Sequence, residues 1–108
     1  MGQRNNKAII LAKDFKRKAG KKYGLSNIIL FGSQATGKAK KDSDIDLLVV
    51  SNKSKKKSEF MAKLFTEWHL IQMKKNPVDF ICFTESEFRK KSKGITLVNQ
   101  AIKEGIKI

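Results

Sequence analysis

Asp44 and Asp46 stand one residue apart at the head of an apolar run that continues through Leu47-Leu48-Val49-Val50. On an extended chain alternate side chains share a face, so the two carboxylates point the same way. Acids held side by side repel one another unless a cation sits between them. An all-oxygen pair suits a hard ion such as Mg²⁺, which keeps several waters and takes one or two carboxylates plus substrate phosphates. Separated from Asp44 by ten residues, Gly32-Ser33 closes another short apolar run, Ile28-Ile29-Leu30-Phe31. A Gly-Ser turn that opens a helix supplies backbone N–H groups and a hydroxyl, which suit a triphosphate. A third acid, Asp79, lies near the start of the run Val78–Phe83, just after Pro77. Three carboxylates beneath a phosphate-holding turn form the layout for in-line nucleotidyl transfer. One metal lowers the pKa of the attacking hydroxyl, and a second steadies the triphosphate and the leaving pyrophosphate.

Each part of this pattern is weak by itself. Asp-x-Asp also occurs in calcium loops and plain turns, and Gly-Ser is commoner still. The strength lies in their union with two flanking apolar runs. A competing motif overlaps them, since Gly32-Ser33-Gln34-Ala35-Thr36-Gly37-Lys38-Ala39 stops one residue short of a P-loop. Ala39 stands where the Mg²⁺-binding Ser or Thr belongs, and a polar, charged stretch follows where a helix is required.

The elements that must position these residues can be read from periodicity. Ala8, Leu11, Ala12, Phe15 and Ala19 stripe one face of a helix from about residue 5 to Gly20. Asn27–Phe31 reads as the first strand, Ser33–Gly37 as a short helix or turn, and Asp44–Val50 as the second strand. Phe60, Met61, Leu64, Phe65, Trp68 and Ile71 recur at helical spacing between Ser58 and Lys75. Pro77 cannot continue that helix, and Val78–Phe83 becomes the third strand. Thr84-Glu85-Ser86-Glu87 is a capping-box pattern. After Gly94, Ile95, Val98, Ile102 and Ile106 suggest a last helix. Bringing Ser33 and Asp44 to one site makes the first two strands antiparallel. Bringing Asp79 beside Asp46 makes the second and third parallel, with the long helix as a right-handed crossover. The expected architecture is a small α/β layer: a mixed three-stranded sheet flanked by helices. Trp68 and Cys82 are expected in the core, His69 at the surface or boundary, and Tyr23 packed at a helix end.

The chain has 108 residues, which points to one domain over residues 1–108. The single cysteine, Cys82, forms no internal disulfide and suggests a reducing compartment. The expected location is cytoplasmic, because no apolar stretch approaches the ~18 residues of a spanning helix and the first residues lack a signal region. The net charge of +14 attracts nucleic acid, nucleotide phosphates or an acidic protein. It is carried mostly by lysine, with arginine only at positions 4, 17 and 89, so a merely solvated surface is the plain alternative.

The stretch from Phe31 to Val50 resembles the minimal nucleotidyltransferases of the DNA polymerase beta superfamily, whose motif is an apolar residue, Gly-Ser, a spacer and Asp-x-Asp. Gly37 in the spacer, Ser43 before Asp44, Val78-Asp79-Phe80 and the closing Ala101–Ile106 also match. The resemblance implies a polymerase beta palm-like fold and transfer of AMP from ATP with two Mg²⁺ ions. It implies that Gly32 and Ser33 hold the triphosphate, that Asp44 and Asp46 serve both metals, and that Asp79 serves the metal nearest the attacking hydroxyl. Gln34 and Thr36 stand where many members carry arginines, which leaves triphosphate neutralisation to Lys38, Lys40 or Lys41. Members this short are commonly antitoxins that adenylylate a tyrosine of a helical HEPN-type toxin. Two other readings are a non-catalytic antitoxin acting by contact, and a basic protein that binds or modifies nucleic acid.

Overall fold

The computed structural model describes residues 6–36, 44–71, 77–94 and 97–108. Three apolar runs become β1 (Asn27–Phe31), β2 (Ile45–Val50) and β3 (Val78–Phe83). The helices are α1 (Asn6–Ala19), α2 (Ser33–Thr36), α3 (Lys57–Ile71), α4 (Glu85–Ser92) and α5 (Leu97–Glu104). β1 and β2 pair antiparallel, from Asn27 opposite Val50 to Phe31 opposite Asp46. β2 and β3 pair parallel, from Ile45 beside Val78 to Val50 beside Phe83. The fold is therefore the mixed α/β sheet flanked by helices that the sequence implied.

The sheet has four strands rather than three, in the order β3-β2-β1-β4, because Ile106–Lys107 forms a short β4 antiparallel to β1. The helical stripe expected through Ile106 ends at Gly105. The Gly105 N–H closes the last turn on the Ala101 carbonyl at 2.7 Å. A Cβ there would press within 2.6 Å of Ile29 Cγ2 and 2.8 Å of the Leu30 carbonyl, so only glycine lets the chain turn so close to β1. Ile106 then pairs with Leu30, and the Ile108 N–H donates to the Ile28 carbonyl at 2.8 Å. Ile102 is 41% exposed, while Val98 and Ala101 carry the buried face of α5.

Strand alternation sends two sets of side chains to two cores. Ile28, Leu30, Ile45, Leu47, Val49, Phe80 and Cys82 meet Phe15 of α1 and Leu64 and Trp68 of α3. Phe15 lies 5.6 Å from Trp68 and 5.4 Å from Phe80, centroid to centroid, in tilted pairs of the kind aromatic quadrupoles favour. Burying Trp68 in full, with Phe15 and Leu64, contributes roughly 1.5–3 kcal/mol for each such side chain. The opposite face gathers Ile29, Leu48 and Val50 under Val98 and Ala101 of α5, with Phe31, Phe83 and Phe88 at its edge. The capping box at α4 is complete. Thr84 Oγ1 accepts from the Glu87 N–H, and the Glu87 carboxylate accepts from the Thr84 N–H at 2.8 Å. Among the described residues no helix is long and apolar enough to cross a membrane.

Candidate active site

The two antiparallel strands put the end of β1 beside the start of β2, and the parallel crossover adds the start of β3. Phe31, Asp46 and Asp79 thus form one row across the sheet, each a direct register partner of the next. Asp79 is exposed and Asp46 half-buried. Asp44 lies one residue before β2 rather than on it, and is exposed. The Ile45 N–H donates to the Pro77 carbonyl at 2.9 Å, so the ladder continues to the residue that precedes β3 and keeps Asp44 at the same end of the sheet. The next row on this face is Ile29, Leu48 and Ile81, so the acids border the smaller apolar core.

Gly32 turns the chain out of β1 with φ +72°, a left-handed conformation that side chains disfavour. A Cβ at this position would run into Asp46 Oδ2. The glycine thus allows the backbone of this turn to lie directly against an acid. Ser33 opens α2, a helix of four residues whose Ala35 and Thr36 amides both donate to the Gly32 carbonyl, at 3.1 and 3.2 Å. Buried Ala35 fixes α2 to the larger core. Gln34 is also buried, at 3% exposure, so its side chain packs inward instead of facing a triphosphate. The departure from arginine-bearing members signalled a difference at this position, but not its inward direction. The turn's approach to Asp46 left no signal beyond the glycine itself.

Burial is the main force that raises the Asp46 carboxyl above the usual aspartate range, followed by the charge of Asp79 and then that of Asp44. A cation at this edge would relieve all three pressures. Among the described residues no three acidic, histidine or cysteine side chains converge closely enough to hold a metal ion. Asp46 and Asp79, neighbours across the sheet, offer the one or two carboxylates that Mg²⁺ takes beside waters and substrate phosphates. Lys38, Lys40 and Lys41 fall outside the described residues. Two cavities share Phe31 in their walls, and none of the three acids lines either. One of about 180 Å³ lies between Phe31, Gly32, Gln100, Ala101 and Glu104, and one of about 220 Å³ is mainly apolar, with Leu48, Ile81 and Phe83 in its wall. Gln100 and Glu104 were not expected near the site, because α5 reaches the Gly32 turn only through the tertiary fold.

Over residues 10–107 the sequence matches the nucleotidyltransferase domain family. The chain belongs to that family. A nucleotidyltransferase of this type moves a nucleotide from a nucleoside triphosphate, in general with divalent metal. The fold resembles a crystal structure from Sulfolobus solfataricus that carries a provisional nucleotidyltransferase assignment, with TM-score 0.61 and 21% identity. The likeness covers 94% of this chain and 78% of that one. No curated protein sequence matches this nucleotidyltransferase. Elsewhere in it, Trp68 and Cys82 are core residues and His69 is exposed. Burial pushes the Cys82 thiol up to about 11. Tyr23 closes the turn after α1, donating its hydroxyl to Glu67 at 2.9 Å and meeting Phe60 edge-on.

Proposed function

We propose that this nucleotidyltransferase transfers AMP from ATP to a hydroxyl, most specifically a tyrosine of a HEPN-type toxin partner, and so acts as an antitoxin. The observation that carries the transfer reading is the row Phe31–Asp46–Asp79, with the Gly32 backbone set against Asp46. The protein partner and the tyrosine rest on the resemblance of the Phe31–Val50 stretch to minimal nucleotidyltransferases, whose short members are commonly antitoxins. In the reaction the acceptor oxygen forms a bond to the α-phosphorus while the bond to the bridging oxygen of pyrophosphate breaks. The acceptor proton passes to solvent through the Asp79 edge, and pyrophosphate leaves on the Gly32-Ser33 side. Two Mg²⁺ ions bound at these acids would supply charge neutralisation and activation of the hydroxyl. Asp46 and Asp44 would hold the nucleotide's side of the site, Asp79 the acceptor's side, and Ser33 a phosphate oxygen. Lys38 is assigned to triphosphate neutralisation on the sequence alone.

Incubation with α-labelled ATP, Mg²⁺ and a HEPN-type toxin tests the reading. Label should reach that protein, disappear with chelator, and disappear in Asp46→Asn. Neutralisation of the toxin by the unlabelled complex of Asp46→Asn would instead support an antitoxin that works by contact. Absence of label and of neutralisation would refute both.

A further inference from the structure

A concentration of positive charge lies at the opposite end of β2 from the acids. Lys53, Lys55, Lys56 and Lys63 surround a notch of about 260 Å³ with Asn52, Glu59 and the buried Phe60. All four lysines are exposed, and one glutamate stands against them. Among the described residues the ion pairs join Arg17 and Lys18 to Asp14, Lys22 to Glu67 and Lys57 to Glu87. Lys55, Lys56 and Lys63 enter none of them. Like charges gathered in this way cost free energy unless an anion offsets them.

The loop that carries them is built rather than loose. Ser51 and Ser54 are fully buried within it. The Ser51 hydroxyl donates to the Tyr23 carbonyl at 2.6 Å and accepts from the Lys53 N–H at 3.0 Å. The Ser54 hydroxyl donates to the Ser51 carbonyl at 2.7 Å. Asn52 clasps Glu85 twice, donating to its carboxylate at 2.8 Å and accepting from its N–H at 3.1 Å. These bonds tie the start of the loop to Tyr23 and Glu85 and fold Ser54 back onto Ser51, which gives the backbone carrying Lys53, Lys55 and Lys56 a defined path.

We infer that this notch is a binding site for the phosphate backbone of a nucleic acid, separate from the acid row. Screening decides against a diffuse effect of the whole charge. With a Debye length of about 8 Å at physiological ionic strength, a bound phosphate feels the cations around it and little of the rest. Chemistry decides the ligand class. Lysines act as point charges on phosphates. A protein interface would place apolar or aromatic anchors at its centre, whereas Phe60 is buried and the exposed large apolar side chains, Ile10, Leu70 and Ile102, are not among the residues lining the notch. The absence of an exposed ring there also predicts tolerance of base sequence. Since β2 has six residues and a strand rises about 3.3 Å per residue, the notch lies roughly 15–20 Å from the acids. A strand held there leaves the acid row open.

Anisotropy of a short fluorescein-labelled single-stranded oligonucleotide, measured against salt in EDTA, tests the site without involving a metal-bound nucleotide. The triple variant Lys55→Gln/Lys56→Gln/Lys63→Gln should lower the slope of log K against log salt by about 2, at ~0.7 for each phosphate that is no longer neutralised. Lys13→Gln/Lys103→Gln/Lys107→Gln removes the same net charge elsewhere and should leave the slope nearly unchanged. Arginine at the three notch positions should restore it. Equal reductions in both triple variants, or none in the notch variant, would overturn the site. Binding of polyglutamate but not of the oligonucleotide would overturn the ligand class in favour of an acidic protein. AMP transfer by the notch variant is scored separately, so a failure there bears on the catalytic reading and not on this one.

Discussion

Replacing Gly32 by alanine isolates what the turn does for the acid row, because Gly24 provides a matched control. Both glycines have positive φ, +72° and +61°. Forcing an L-residue into the left-handed region costs roughly 1–2 kcal/mol, and each alanine should incur that cost. The surroundings differ. At Gly24 a Cβ would make ordinary contact, 3.5 Å from Lys53 Cδ, Lys53 Cε and Ser51 Oγ. At Gly32 it would meet Asp46 Oδ2, the far end of a side chain that can swing aside. Relief is therefore easy for the fold and damaging for the site. Both variants should show similar destabilisation in urea unfolding. Only Gly32→Ala should lose metal-dependent ATP binding, and its transfer rate should fall by about 10²-fold or more, the scale of a misplacement near 1 Å. Equal activity in the two variants would refute the claim that Gly32 seats Asp46.

Asp79→Asn should bind ATP nearly normally in calorimetry yet lose transfer by orders of magnitude, whereas Asp46→Asn should lose both; full transfer by a folded Asp79→Asn would dismiss the three-acid site. The acid limb of stability should carry two opposing signs. Lys57, and then the Thr84 N–H, hold Glu87 at about 2 against an ordinary 4.5, so its contribution is present above pH 4.5 and lost as the pH falls toward 2. Asp46 is raised in the folded protein, so its protonation favours the fold at low pH and that benefit is lost as the pH rises through its folded value. Between pH 5 and pH 3, urea midpoints should therefore fall less in Glu87→Gln than in wild type, and more in Asp46→Asn. Cys82, buried and with its thiol pushed to about 11, should resist iodoacetamide until the protein is unfolded; rapid alkylation of native protein would contradict its place in the core.

The strands and the acid row were legible because period-two patterning survives in the sequence. Val78–Phe83 alternates sharply enough to place Asp79 on the face opposite Phe80 and Cys82. The parallel pairing of β2 with β3 followed from chemistry alone, through the need to bring two acids together. Ile106 misled because its spacing from Ile102 is also helical, and only the crowding at Gly105 shows where the helix must stop. β4 pairs at just Ile106 and Lys107, too short to leave a period of its own. Gln34 reads only as a departure from a motif, since nothing in a polar side chain announces burial beside Ala35. The loop from Ser51 to Lys56 looks like a plain connection because its order comes from long-range bonds, Ser51 to the Tyr23 carbonyl and Asn52 to Glu85.

The pairing of β2 with β3 also answers how accurately the acids are aligned. Displacing β3 by one residue would turn Asp79 toward Phe15 and Trp68 and push Phe80 and Cys82 off the main core. Such misregistration would bury a carboxylate among aromatic rings and forfeit several packed side chains at once. No interaction made by Asp79 itself is needed to forbid it. The alignment of the acids is thus proofread by the core on the far side of the sheet. Substitutions at Phe80 or Phe15 that loosen this packing should blur the catalytic geometry before they unfold the protein.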